Sequence, residues 1–147
     1  MSKKQVTKIR LTPEQWEWVL SDGYKAYSSE ATFSSALTKY MSDVQNLYGV
    51  RQKEISVLTG IESTVITKYR KGIRKPTITA VILLSLAMKL TPDRSQYLLY
   101  LAGLQLNECL EHRIYRMFLF GCAYNDDYNI SNCNKVLKSK GLTLLKA

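Results

Sequence analysis

Two short segments with helical periodicity, 51–58 and 63–71, flank the turn Thr59-Gly60-Ile61, and this spacing constrains the chain more than any other feature in it. The first is expected to bury Ile55 and Leu58, the second Ile66 and Tyr69, and Gly72 stands where a helix commonly ends in a left-handed glycine. Two helices joined in this way can dock at a steep angle, with Gly60 supplying the turn and Ile55, Ile61 and Ile66 a small shared core. The outward face of the second helix is then left free for a ligand.

The remaining sequence reads as further helices separated by clear stops. Residues 1–10 are basic, and Thr12-Pro13 then opens a helix to about residue 21, with Thr12 as N-cap and Trp16, Val19 and Leu20 on one face. Asp22-Gly23 ends it, and Ser28-Ser29-Glu30 makes a connector. Between 32 and 48 the apolar positions Phe33, Leu37, Tyr40, Met41, Val44 and Leu47 recur at three and four residue steps, and Gly49 stops that helix. Residues 77–90 are apolar on most faces and belong in the centre of a bundle. Thr91-Pro92 opens a helix to about 102 before Gly103. A longer one follows from about 107 to 123, carrying Leu110, Ile114, Met117, Phe118 and Phe120, and a last one runs from 131 to 140 before Gly141. The expected fold is all-α, with eight helices and no strand signal. It divides into an N-terminal extension, 1–30, a central domain, 31–90, and a C-terminal helical extension, 91–147, for dimerisation or regulation.

Charge narrows the choice of partner. The 147 residues carry 21 Lys and Arg against 12 Asp and Glu, a formal net charge of +9 that favours an acidic ligand such as nucleic acid. The excess is concentrated: Arg51, Lys53, Lys68, Arg70, Lys71, Arg74 and Lys75 face only Glu54 and Glu62 between 51 and 76. Lys135, Lys138, Lys140 and Lys146 form a second group, better explained as a solvated face. Cys109, Cys122 and Cys133 are widely spaced and odd in number, and no secretory leader pattern opens the chain, so a cytoplasmic setting without a disulfide framework is expected. No apolar run approaches the roughly 20 residues that span a bilayer, so no membrane association is expected.

At residues 52–76 the sequence resembles the phage repressor and Cro-like (XRE) family of helix-turn-helix proteins. The matching residues are Gln52-Lys53-Glu54-Ile55-Ser56-Val57-Leu58-Thr59-Gly60-Ile61, then Val65-Ile66, Gly72, and Pro76 before an apolar helix. The likeness spans about 33–90. A looser one, to regulators of Gram-positive bacteria or mobile elements, extends through Leu98-Leu99-Tyr100-Leu101-Ala102-Gly103 and a closing pattern of Ile130, Asn134, Leu137, Gly141 and Leu144-Leu145. The resemblance implies a lambda-repressor-like bundle in which Ser63, Thr64 and Lys68 read base edges in the major groove. It also implies that Gln52, Arg70, Lys71, Arg74 and Lys75 meet phosphates. Val65 could touch a thymine methyl or simply pack. Two positions depart from the family pattern: Ser56 replaces a small alanine, and Glu62 stands where a Ser or Thr cap is usual. Glu62 would either cap its own helix or read a cytosine amino group.

Other constellations are less pointed. Cys109 and His112, with Cys122 or Cys133, do not have the spacing of a known zinc finger, and buried free cysteines are common in cores. Tyr69, Tyr97, Tyr100 and Tyr115 sit among Leu and Ile and read as core residues with the hydroxyl at the rim. No phosphate loop, nucleophile elbow or histidine pair is present, so neither an enzyme nor a cofactor is expected. The expected function is a sequence-specific, double-stranded DNA-binding regulator acting as a homodimer, with a protein or small-molecule effector left open. Its rivals are a protein-binding module on the same scaffold, antitoxin-like or a phage-derived inhibitor, and a nonspecific nucleic-acid binder.

Overall fold

The computed structural model describes residues 11–21 and 30–147, and these form eight helices and no strand. The basic residues 1–10, the stop at Asp22-Gly23 and the connector residues Ser28 and Ser29 lie outside the described residues. Among the described residues no helix is long and apolar enough to cross a membrane.

Helix α1 (Pro13–Leu20) begins as its sequence predicts. Gln15 N–H donates to the Thr12 hydroxyl at 3.1 Å, and Thr12 N–H donates to the Gln15 side chain at 3.0 Å. The pair satisfies two donors that a helix start otherwise leaves open. Helix α2 (Phe33–Tyr48) starts with the same exchange between Thr32 and Ser35, and ends at Gly49 in the left-handed region. The two helices are joined by Trp18, whose indole N–H donates to Asp43 at 3.1 Å, and by Gln15, whose amide donates to the Leu47 carbonyl.

Helices α3 (Gln52–Thr59) and α4 (Ser63–Lys71) follow, and then α5 (Ile78–Ala87), the axis of the fold. Every residue from Ala80 to Ala87 is buried, because a helix apolar on all sides can hide its surface only by being surrounded. It is packed by α3, α6 (Pro92–Leu101), α7 (Leu110–Gly121) and α8 (Ile130–Ser139). The helix expected to reach residue 90 stops at Ala87, since Lys89 turns into the left-handed region with φ 53°, although Met88 and Leu90 stay buried.

Buried Arg94 ties α6 to α1. Its guanidinium donates to the Trp18 carbonyl at 2.7 Å, the Ser21 hydroxyl at 3.0 Å and the Thr91 hydroxyl at 2.9 Å, and lies 3.8 Å from the Trp18 ring centre. A cation at the C-terminal end of α1 also meets the negative end of that helix's dipole. Thr91 occupies the expected N-cap position, but its hydroxyl serves Arg94 and Asp93 and makes no capping bond to α6.

The chain closes on itself through its last residues. Asn134 on α8 brackets Leu145, accepting its N–H at 2.7 Å and donating to its carbonyl at 3.2 Å, and Leu145 is buried. A single cluster of buried side chains runs from Phe33 to Leu145, so segments 31–90 and 91–147 share one core.

Several faces differ from expectation. Leu20 and Leu58 are exposed where burial was expected: α1 and α3 are each only two turns long and turn Val19 and Ile55 inward, while Leu58 borders an open cavity. On α7, Ile114 and Phe118 are buried whereas Leu110, Met117 and Phe120 face outward. Tyr69 and Tyr115 are core residues as read, but Tyr100 is exposed and stacks on half-buried Tyr97 with ring centres 6.4 Å apart.

Candidate nucleic-acid interface

Helix α4 has two unlike sides. Ile66 and Tyr69 are buried against α2, where Tyr69 meets Phe33 edge to face with ring centres 6.3 Å apart, and Val65 is half-buried against the same core. On the other side Ser63, Thr64, Lys68 and Lys71 are exposed. These are four of the eight site residues expected from sequence, and one turn-by-turn surface brings them together. Lys68, Arg70 and Lys71 occupy the last turn, where cations are favoured by the helix dipole.

The turn before α4 is built from local bonds. Gly60 has φ 77°, a conformation that a residue with a Cβ adopts only with strain. The Thr59 hydroxyl donates to the Ile55 carbonyl at 2.8 Å and accepts the Ile61 N–H at 3.1 Å, while the Ser56 hydroxyl donates to the Ile61 carbonyl at 2.6 Å. Ser56, which departs from the family pattern, is therefore a bonded member of the turn. Ala147 reaches the same place, since a Cβ on Gly60 would lie 3.8 Å from its own Cβ.

Gln52 fixes α3 to α4. Its amide nitrogen lies within hydrogen-bond reach of the Ser63 carbonyl at 3.0 Å, the Ser63 hydroxyl at 2.9 Å and the Thr67 hydroxyl at 2.9 Å. Its amide oxygen accepts from the Arg70 guanidinium at 2.8 Å, and Arg70 also reaches the Thr38 hydroxyl on α2 at 3.4 Å. Gln52 and Arg70 are consequently half-buried and committed to the scaffold, unlike the freely presented Lys68 and Lys71. Thr67 was not singled out by sequence reasoning, although it lies one turn from Ser63 and three residues from Thr64, a spacing that puts all three on one face.

Glu62 does not cap its helix with its side chain. It occupies the N-cap position without a side-chain bond, and only its carbonyl accepts, from Val65 N–H at 2.9 Å and Ile66 N–H at 3.1 Å. The carboxylate is left exposed beside Ser63. The other acid of the stretch, Glu54, accepts the Arg51 N–H at 2.7 Å and is occupied with the start of α3.

Beyond α4, Gly72 turns with φ 75°, and Arg74 and Lys75 follow as exposed side chains next to exposed Ile73. Arg74 and Lys75 border an open depression with Thr32, Ser34 and Tyr69, so the cations lie beside the start of α2. Among the described residues no group of three or more His, Cys, Asp or Glu side chains could hold a metal ion. His112 Nδ1 instead accepts the Asn107 N–H at 3.0 Å. A comparison of this chain with models of protein families, with curated proteins and with solved structures finds nothing that matches it.

Proposed function

We propose that this protein is a sequence-specific DNA-binding regulator of the phage repressor type, acting in the bacterial cytoplasm, in which α3 and α4 form the helix-turn-helix and α4 enters the major groove. The observation that carries this reading is the division of α4 into a buried face and an outward face of two hydroxyls and two ammonium groups, with Arg74 and Lys75 beyond it. Ser63, Thr64 and Lys68 would read base edges, hydroxyls pairing permissively and the ammonium favouring guanine acceptors. Lys71, Arg74 and Lys75 would meet phosphates. Gln52 and Arg70, assigned to phosphate by the resemblance, would act first by holding α4 at a fixed angle.

One recognition helix reads too few base pairs for useful specificity, so the reading includes a homodimer on a two-fold site. Met117 and Phe120 lie three residues apart on the outer side of α7, and Phe120 is 71% exposed. They are the apolar surface that this reading offers to the second protomer. The same pair favours a second reading, a protein-binding module in which α4 is only scaffold.

Selection of bound duplexes from a random pool, with wild type and with Ser63, Thr64 and Lys68 changed together to Ala, separates the two. A two-fold motif enriched by the wild type and lost in the triple variant supports the regulator. No enrichment at moderate salt removes it and leaves the protein-binding module. Enrichment that the triple variant retains removes base reading by α4.

A further inference from the structure

Six of the described residues adopt a left-handed backbone, each just past a helix or at a turn: Gly49, Gly60, Gly72, Gly103, Gly141 and Lys89. Five are the residue that tolerates this conformation without a steric penalty; the sixth is a lysine with φ 53°. Lys89 follows α5 as Gly103 follows α6 and Gly141 follows α8, so a glycine would serve the turn better. The side chain at 89 must therefore matter for something other than the turn.

Lys89 lines a cavity of about 440 Å³, within the range of small-molecule sites. Five parts of the fold wall it: the start of α1, the last turns of α2, Leu58 of α3, the end of α5 and the loop between α7 and α8. Its lining is mostly aliphatic, including Val44, Leu47 and Met88, with the hydroxyl-bearing Tyr48 and Tyr124. Lys89 is the one cation and Asp126 the one acid among the described lining residues, and the two form an ion pair. Asp126 is largely exposed and the pair is half-solvated, so exchange of one carboxylate for another is cheap. Leu58, 55% exposed on α3, is apolar surface that an occupant of the cavity would cover.

We propose that this cavity binds a small amphipathic monocarboxylate, its apolar body between α2, α3 and the end of α5 and its carboxylate on the Lys89 ammonium in place of Asp126. The site is independent of the DNA-binding reading, and its test reads ligand binding alone.

The test is calorimetric titration of the full chain with octanoate and with octan-1-ol, which share an alkyl body and differ in charge. Octanoate is expected to bind saturably at one site and at least tenfold more tightly than octanol. Two variants move the affinity in opposite directions. Lys89→Gly, which relieves the backbone and keeps the fold, should weaken octanoate to the level of octanol. Asp126→Asn, on an exposed loop, should tighten it severalfold by freeing the ammonium. Absence of saturable octanoate binding overturns the site. Equal binding of the alcohol, or an octanoate affinity unchanged by both variants, overturns the assignment of Lys89 as anchor and of a carboxylate as ligand.

Discussion

Arg70 donates a 2.8 Å hydrogen bond to the side-chain oxygen of Gln52, eighteen residues earlier, and the same amide reaches Ser63 and Thr67 through its nitrogen. One glutamine thus uses both ends of its amide to set the angle between two helices that are each too short to hold a shape alone. Removing it takes this partner from Thr67 and leaves Arg70 with only the longer bond to Thr38. Gln52→Ala is expected to lower stability by about 1–2 kcal/mol, and Arg70→Ala by a similar amount. In a double-mutant cycle the two changes should couple by about 1 kcal/mol, measured by urea unfolding. Strict additivity would mean that Arg70 faces solvent and acts only as a surface charge.

If α4 reads DNA, the cations around it divide into two kinds. Lys71 is exposed and should contribute a phosphate contact, so Lys71→Ala should reduce the slope of log affinity against log salt by about 1 while leaving the preferred sequence unchanged. Arg70→Lys keeps the charge but loses the planar fork that fits Gln52. It should weaken binding with little change in salt slope, because what it disturbs is the placement of α4. Equal loss of salt slope in both variants would return Arg70 to the phosphate contacts.

Gly121 lies under the Tyr128 ring, and a Cβ built there would come within 1.7 Å of it. That ring in turn packs on Phe118 with centres 5.3 Å apart, so it cannot swing away without uncovering part of the core. Gly121→Ala would normally strengthen a helix end, but here overpacking by about 1–3 kcal/mol outweighs the propensity gain of about 1 kcal/mol. Thermal unfolding should show a lower midpoint for Gly121→Ala, whereas in a Tyr128→Ala background, itself less stable, the same substitution should cost nothing further.

The parts of the fold that sequence made legible are those decided within a few residues. The Thr12-Pro13 start, the stops at Gly49 and Gly72 and the Gly60 turn depend on caps and backbone conformation, and each appears where it was read. The all-apolar stretch also placed α5 at the centre, because no other position would bury it. What could not be read depends on distant neighbours. Periodicity put Leu20 beside Val19 and Leu58 beside Ile55, yet which row is covered is decided by the helices packed alongside, α2 for α1 and α4 and α5 for α3. The early end of α5 was hidden because Lys89 carries a conformation usually signalled by glycine. Ser63, Thr64 and Lys68 were legible as one helical face, but the commitment of Gln52 to Arg70 was not, since it joins residues on separate helices. Asn134 and Leu145 stand in the sequence only as members of a pattern, and what joins them is a two-bond clamp that holds the segment after α8 in the core.

Ser85 is fully buried in α5, and among the described residues its hydroxyl has no hydrogen-bond partner. A buried, unpaired hydroxyl costs about 1–3 kcal/mol, while the space it occupies is close to that of a methyl group. Ser85→Ala is therefore expected to raise stability by about 1 kcal/mol, read as a higher urea midpoint at unchanged slope. A loss of more than about 1 kcal/mol would show that the hydroxyl is bonded, most simply to an ordered water.

Cys122 and Cys133 are both buried, and burial pushes each thiol from 9.0 up to about 12, with the Lys89 charge opposing this slightly at Cys122. In the unfolded chain the thiols lose their protons near the ordinary value, whereas the folded chain holds them. Above pH 9 the unfolded state thus binds fewer protons, and the stability contributed below that value is lost as pH rises toward 12. Each thiol can contribute a decline of at most about 1.4 kcal/mol per pH unit. Burial also raises Tyr115, to about 12, and Tyr48, but both begin from an ordinary 10.0, so they add mainly above that value and the cysteines carry most of the decline between pH 9 and 10. Urea unfolding across that interval should show stability falling with pH, and the slope should shrink in Cys122→Ala and fall to the smaller tyrosine contribution in Cys122→Ala/Cys133→Ala, whatever the absolute stability of the variants. A slope unchanged in the double variant would mean that other groups titrate there and that the thiols ionise alike in both states. Maleimide labelling at pH 7 gives a second reading: exposed Cys109 should react at once, and the two buried thiols only as the protein opens.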